Sequence, residues 1–154
     1  MLDTQELVRK LADEHGRTRE SLLPILQGIV SEENYLTDIS LSEVARELDI
    51  SAAQVYGTAS FYAFLDTQPR GKYVIRLCKT ITCEMRGKNQ ILKTIEDTLK
   101  IKFGETTPNK KFSLLHTISL GWCHQGPAML INEKSFTDLT PEKVIEILTE
   151  YAKK

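Results

Sequence analysis

Two short stretches hold the residues best suited to metal or thiol chemistry. One is Cys78-Lys79-Thr80-Ile81-Thr82-Cys83 and the other is Ser119-Leu120-Gly121-Trp122-Cys123-His124-Gln125-Gly126-Pro127; together they contain all three cysteines of the 154-residue chain. An odd cysteine count in a reducing compartment favours metal ligation or redox chemistry over structural disulfides. Thiolates are soft ligands that suit iron–sulfur centres and zinc. A five-residue offset cannot place Cys78 and Cys83 on one face of a strand, so the intervening chain must fold back to bring them together. A loop of this kind can wrap a metal centre and turn backbone N–H groups towards sulfur. Gly121 allows close backbone approach in the second stretch, and Gly126-Pro127 ends it with a turn.

Other readings of the same residues compete. Three separate buried cysteines could simply pack as small hydrophobes. A zinc site could use Cys78, Cys83 and Cys123 with His116 or His124, although the usual two-residue ligand gap is missing. A dithiol oxidoreductase prefers Cys-x-x-Cys beside a helix N-terminus, which this chain lacks. Packing is the simplest role for Trp122, and a surface or hydrogen-bonding role for His124. Arg86 suits either solvation or compensation of thiolate charge.

The elements that must position these residues divide near Thr67-Gln68-Pro69-Arg70-Gly71, where proline and glycine interrupt the pattern. Residues 1–68 predict a helical bundle and residues 69–154 a small α/β domain. Apolar spacing predicts helices near 4–14 (Leu7, Val8, Leu11) and 20–33 (Leu22 to Val30), with Pro24 in a first turn. Ser40 with Glu43 reads as a capping box opening a helix through about Leu48, and Ser51 with Gln54 as another opening a helix through about Phe64. Phe61, Tyr62 and Phe64 are expected to pack in the core or between domains. Past the break, Lys72–Leu77 reads as a strand, Arg86–Leu99 as a helix and Phe112–Ile118 as a second strand. Cys83 is expected in a loop before the helix, and Ser119 at the end of the second strand. Pro127–Asn132 and Glu133–Thr137 predict two further short strands, and Thr140-Pro141 caps and opens a final helix carrying Val144, Ile147, Leu148 and Tyr151.

A 41% apolar, 27% charged composition is ordinary for a globular protein, and the net charge of −1 gives no footprint for nucleic acid or an anionic membrane. No apolar run approaches a membrane span, so no membrane insertion is expected. The N-terminal Met1-Leu2-Asp3-Thr4-Gln5-Glu6 has no basic flank or apolar signal core, which predicts a cytoplasmic protein. Ser42–Tyr56 resembles a helix-turn-helix, but Asp49 replaces the usual turn glycine. The second helix, from Ser51 to Phe64, carries no Lys or Arg for phosphates, so a packing role is preferred.

Taken together, Leu23-Pro24-Ile25-Leu26-Gln27, Val55-Tyr56-Gly57-Thr58-Ala59-Ser60-Phe61-Tyr62, Cys78, Cys83, Arg86-Gly87, Leu120-Gly121-Trp122-Cys123 and Gly126–Asn132 carry a resemblance. The chain resembles, from about Leu23 to Tyr151, the thioredoxin-like [2Fe–2S] subunits of NADH dehydrogenase (complex I) and of NAD(P)-linked hydrogenases and formate dehydrogenases, electron-bifurcating ones included. The resemblance implies an α/β fold in which an N-terminal helical bundle precedes a thioredoxin-like [2Fe–2S] ferredoxin domain. It also implies one-electron transfer, with no activity for the chain in isolation. By position, the family's ligands fall on Cys78, Cys83, Ser119 and Cys123, and Ser119 stands where the family has cysteine. Serine is a poorer iron ligand because its hydroxyl is harder to deprotonate and its oxygen is harder than sulfur. The resemblance implies an NAD(P)H-binding flavoprotein as partner, with further iron–sulfur subunits in the same complex. A homodimer of the isolated chain is left open. A G-x-G-x-x-G loop is absent, which assigns nucleotide binding to the partner. Two alternatives stand beside this reading: a cluster-free structural subunit, and a thiol-based redox enzyme or sensor using Cys78 and Cys83.

Overall fold

The structure is a computed structural model that describes residues 3–154. Met1 and Leu2, part of the stretch read for export, lie outside the described residues. The chain divides after Pro69 into two compact units.

The first unit is built from four helices: α1 (Thr4–His15), α2 (Leu22–Glu33), α3 (Asp38–Glu47) and α4 (Ala52–Phe61). Their apolar stripes meet in one core, which includes Leu7, Val8, Leu11, Ile25, Leu26, Ile29, Val44 and Val55. Pro24 sits in the first turn of α2, where its missing N–H costs nothing. Ser51 caps α4 and Gln54 returns the bond, as the sequence predicts. The α3 start is different. Thr37 is its N-cap and Ser40 is the third helical residue, each hydroxyl accepting from the other's backbone N–H. Ser40 thus completes a box begun three residues earlier, and α3 starts earlier than Ser40 predicts. The α4 helix stops at Phe61, short of Phe64, and the aromatic residues at and beyond its end do not enter the core: Phe61 is 79% exposed, and Tyr62 and Phe64 are also solvent-facing. Only Val55 and Ala59 of this helix are buried, because its apolar residues surround the axis instead of forming one stripe.

The second unit runs β1 (Tyr73–Cys78), α5 (Ile81–Met85), α6 (Lys88–Leu99), β2 (Phe112–Thr117), β3 (Met129–Ile131), β4 (Lys134–Phe136) and α7 (Pro141–Lys153). The sheet order is β2-β1-β3-β4. β1 pairs parallel with β2 and antiparallel with β3, and β3 pairs antiparallel with β4. Central β1 is buried along its whole length, Arg76 included, as befits the middle strand of a covered sheet. Alternate residues share a face, and Tyr73, Ile75 and Leu77 join Ile91 and Ile95 of α6 and Val144 and Leu148 of α7 in one core. Thr140 caps α7 through Lys143 N–H, and Pro141 occupies its first turn. The observed order of strands and helices is that of a thioredoxin-like α/β sheet.

Candidate metal centre

Parallel pairing of β1 with β2 explains how two stretches far apart in sequence meet. Their register sets Cys78 opposite Thr117, so both strands end at the same edge of the sheet. The chain leaves each strand side by side with the other, and Lys79 N–H bonds back to Thr117 O at 2.9 Å. After the second stretch the chain returns to the sheet, where Ala128 O accepts from Cys78 N–H at 3.1 Å.

Cys78 is the last residue of β1 and fully buried. Cys83 is also fully buried, but it lies inside a helix and not in a loop: α5 begins after Thr80 and Cys83 is its third residue. A five-residue helix is too short to show a periodic pattern, which is why the sequence reads as a loop there. Ser119 sits two residues beyond the end of β2, on the exposed connection, and does not end the strand. Gly121 takes φ +78°, the left-handed region, and turns the chain so that Cys123 follows in a 3₁₀ turn, Cys123–Gln125.

The three sulfurs lie within 4.8 Å of one another. Cys78 Sγ and Cys123 Sγ are 3.9 Å apart. Ser119 Oγ approaches Cys123 Sγ at 3.4 Å while accepting from Gly121 N–H at 3.2 Å. Neither His116 nor His124 joins the set of candidate ligand atoms. His116 instead meets Phe103 edge-on and His124 stacks on Trp122. The zinc arrangement that needs a histidine therefore lacks its fourth ligand. Arg86 donates to the His124 carbonyl at 2.7 Å, tying the end of α5 to the second connection.

Two features at this site were not legible as functional. Thr80 Oγ1 lies between the two connections, 3.2 Å from Cys78 Sγ and 3.3 Å from Cys123 Sγ. A hydroxyl residue two positions past a candidate ligand is the signal that could have drawn notice. The other is Gly126. A Cβ at this residue would lie 2.9 Å from Cys83 Sγ and 3.3 Å from Cys123 O, so the site closes only because no side chain is there.

Electrostatics divide the cysteines. Burial pushes the Cys83 thiol above its ordinary value, opposed by a hydrogen bond from Thr80. Hydrogen bonds from Ser119 first, and then Thr80, lower Cys123 to about 7. The donor set suits a soft iron centre in three of its members, since thiolates are the ordinary ligands of iron–sulfur clusters. The nearby Ser119 offers an alcohol oxygen, harder and less acidic than a thiol.

A thioredoxin-like sheet with a cysteine cage at the edge where its parallel strands end defines the class: a small α/β protein built to hold a thiolate-ligated centre. Comparison with known proteins makes this specific. The chain belongs to the family described as thioredoxin-like [2Fe-2S] ferredoxin, whose pattern matches residues 8–152. It is similar to one component of the NADH-quinone oxidoreductase of Salmonella typhimurium and to its counterpart in Escherichia coli, each 36% identical over 133 residues, covering 86% of this chain and 80% of the relative. Its fold matches a chain of an NAD+-reducing [NiFe]-hydrogenase in the H2-reduced state with a TM-score of 0.78 at 22% identity. That match covers 90% of this chain but only 23% of the hydrogenase chain, so this protein spans about a quarter of its length. Among the described residues, no helix is long and apolar enough to cross a membrane.

Proposed function

We propose that this chain is a one-electron carrier within an NAD(P)H-linked oxidoreductase complex, holding a [2Fe–2S] cluster through Cys78, Cys83 and Cys123 with Ser119 at the fourth position. The observation that carries the reading is the convergence of three thiols from two separate connections to within 4.8 Å. When bound, the cluster supplies reversible uptake and release of one electron. The chain's own residues do the rest. Burial of Cys78 and Cys83 keeps water from two of the thiolates, which limits hydrolysis and lowers the local dielectric. Gly126 lets the backbone close over Cys83. Ser119 offers an oxygen that accepts from Gly121 N–H through one lone pair and keeps a second.

An NAD(P)H-oxidising flavoprotein is the partner this reading implies, with further iron–sulfur subunits receiving the electron and the cytoplasm as location. The support is the kinship with components of NADH-quinone oxidoreductase. Iron and acid-labile sulfide analysis, with visible absorption and EPR on anaerobically prepared protein, tests the reading. Two irons and two sulfides per chain support it. Iron-free protein that still assembles with its complex would make the chain a structural component instead.

The second reading, thiol redox chemistry, has two candidate pairs, since Cys78 lies within 4.8 Å of both Cys83 and Cys123. Cys78 and Cys123 approach to 3.9 Å, which adds that pair to the Cys78–Cys83 pair suggested by the sequence. A disulfide that cycles with thiol reductants in iron-free protein would favour this reading.

A further inference from the structure

We propose that Thr80 is a positioning residue for electron transfer: its hydroxyl donates a hydrogen bond to a ligand sulfur and thereby raises the reduction potential of the centre. This inference rests on the cluster-binding reading above.

Thr80 Oγ1 is 3.2 Å from Cys78 Sγ and 3.3 Å from Cys123 Sγ, so one side chain spans the two connections that bring the site together. Ser119 approaches only Cys123, at the longer 3.4 Å, and its oxygen already accepts from Gly121 N–H. Thr80 Oγ1 has its closest approaches to two of the sulfurs, Cys78 and Cys123, and also hydrogen-bonds towards the third, Cys83. Its backbone is fixed as well, since Thr80 O accepts from Glu84 N–H in the first turn of α5. The half-buried residue has little freedom to turn its hydroxyl to solvent.

The direction of the bond follows from protonation. In the metal-free chain either the thiol or the hydroxyl can donate. Metal ligation removes the thiol protons. Thr80 then holds the one hydrogen available to these contacts, and its hydroxyl donates it to one of the two sulfurs. A hydrogen bond to a charged acceptor is stronger than one to a neutral acceptor. Adding an electron increases the negative charge shared by the ligand sulfurs, so the bond strengthens on reduction. It stabilises the reduced state more than the oxidised state, which moves the potential upwards.

Thr80→Val keeps the shape of the side chain and removes the donor. Thr80→Ser keeps the donor and removes a methyl group. Thr82→Val, at an exposed position in the same helix, is the control. Redox titration of the loaded proteins, monitored by EPR, is the measurement, with iron and sulfide content determined for each variant. The expected result is a reduction equilibrium about tenfold less favourable in Thr80→Val, which is about 59 mV for a one-electron couple. Thr80→Ser should stay near the parent, Thr82→Val should be unchanged, and iron content should be the same throughout. Equal potentials in Thr80→Val and the parent would overturn the proposal, as would equal shifts in Thr80→Val and Thr80→Ser. Loss of iron in Thr80→Val with retention in Thr80→Ser would also overturn it, by making Thr80 a ligand. Iron-free parent protein would instead remove the cluster reading itself, a separate failure.

Discussion

The connection after β1 and the connection after β2 each bring two candidate ligands to the same edge of the sheet, yet they are built differently. The first ends a buried strand and enters a short helix, and both of its sulfurs are fully buried. The second is an exposed irregular segment held by a left-handed glycine and a 3₁₀ turn, with Ser119 exposed and Cys123 half-buried. The cysteine-to-serine departure falls on this second side. A shielded pair of sulfurs beside a solvent-facing oxygen–sulfur pair makes the site asymmetric, and on the proposed reading iron would be held more firmly on the first side than on the second.

This asymmetry fails most plainly if the two sides prove equivalent. Cys83→Ala should weaken iron retention by more than about 100-fold, beyond the effect usual for residues outside the ligand set, whereas Ser119→Ala should cost less than about tenfold. Chelator competition followed by absorption measures both; equal losses would sink the asymmetry. Gly126→Ala comes next. The added methyl would press on Cys83 Sγ at 2.9 Å. Overpacking typically costs about 1–3 kcal/mol, or roughly 5- to 150-fold in retention. Gly57→Ala, whose Cβ meets nothing within 4 Å, should leave retention unchanged. Ser119→Cys probes the contrast from the other side. A thiolate in place of an alcohol should slow iron loss to a chelator by about tenfold, with an altered EPR spectrum. Unchanged spectra and rates would remove Ser119 from the site.

The smallest expected effect is one of pH, in the metal-free chain. The lowered Cys123 value of about 7 means that its thiolate persists below the ordinary thiol range, while Cys83 stays protonated to higher pH. Iodoacetamide labelling read by mass spectrometry should therefore reach Cys123 first and rise through pH about 7. Ser119→Ala removes the largest of the lowering hydrogen bonds, so that rise should move to higher pH. A profile unaffected by the substitution would show that Ser119 does not face Cys123.

Much of the scaffold was legible because its signals are local. The Ser51–Gln54 box, the Thr140-Pro141 cap and the alternating Tyr73–Leu77 run each need only a few neighbours to act. The fold departs from the sequence pattern where two local signals compete or where none is long enough. Thr37 and Ser40 both suit an N-cap, and the earlier one wins because Ser40 can return the bond from the third helical position. The α5 helix is a single turn, below the reach of periodicity. The exposure of Phe61, Tyr62 and Phe64 was hidden because apolar character alone says nothing about burial when a helix has no polar face to orient it. At the metal centre, the ligand positions came from the resemblance and their convergence from the fold. Thr80 and the bare Cα of Gly126 were invisible, since both depend on distances between segments that the sequence separates.

The pairing of Cys78 with Thr117 carries a last consequence. Cys78 and Cys123 are 45 residues apart in sequence, and they meet only once the crossover helix has closed and the two strands have found their parallel partners. A metal that grips both works as a staple across that span, penalising the open chain by restricting its freedom and drawing the equilibrium towards the closed form. On the proposed reading the same link would run backwards: a chain that has not yet paired β1 with β2 would offer iron only part of the ligand set, so metal binding would report on completion of the sheet.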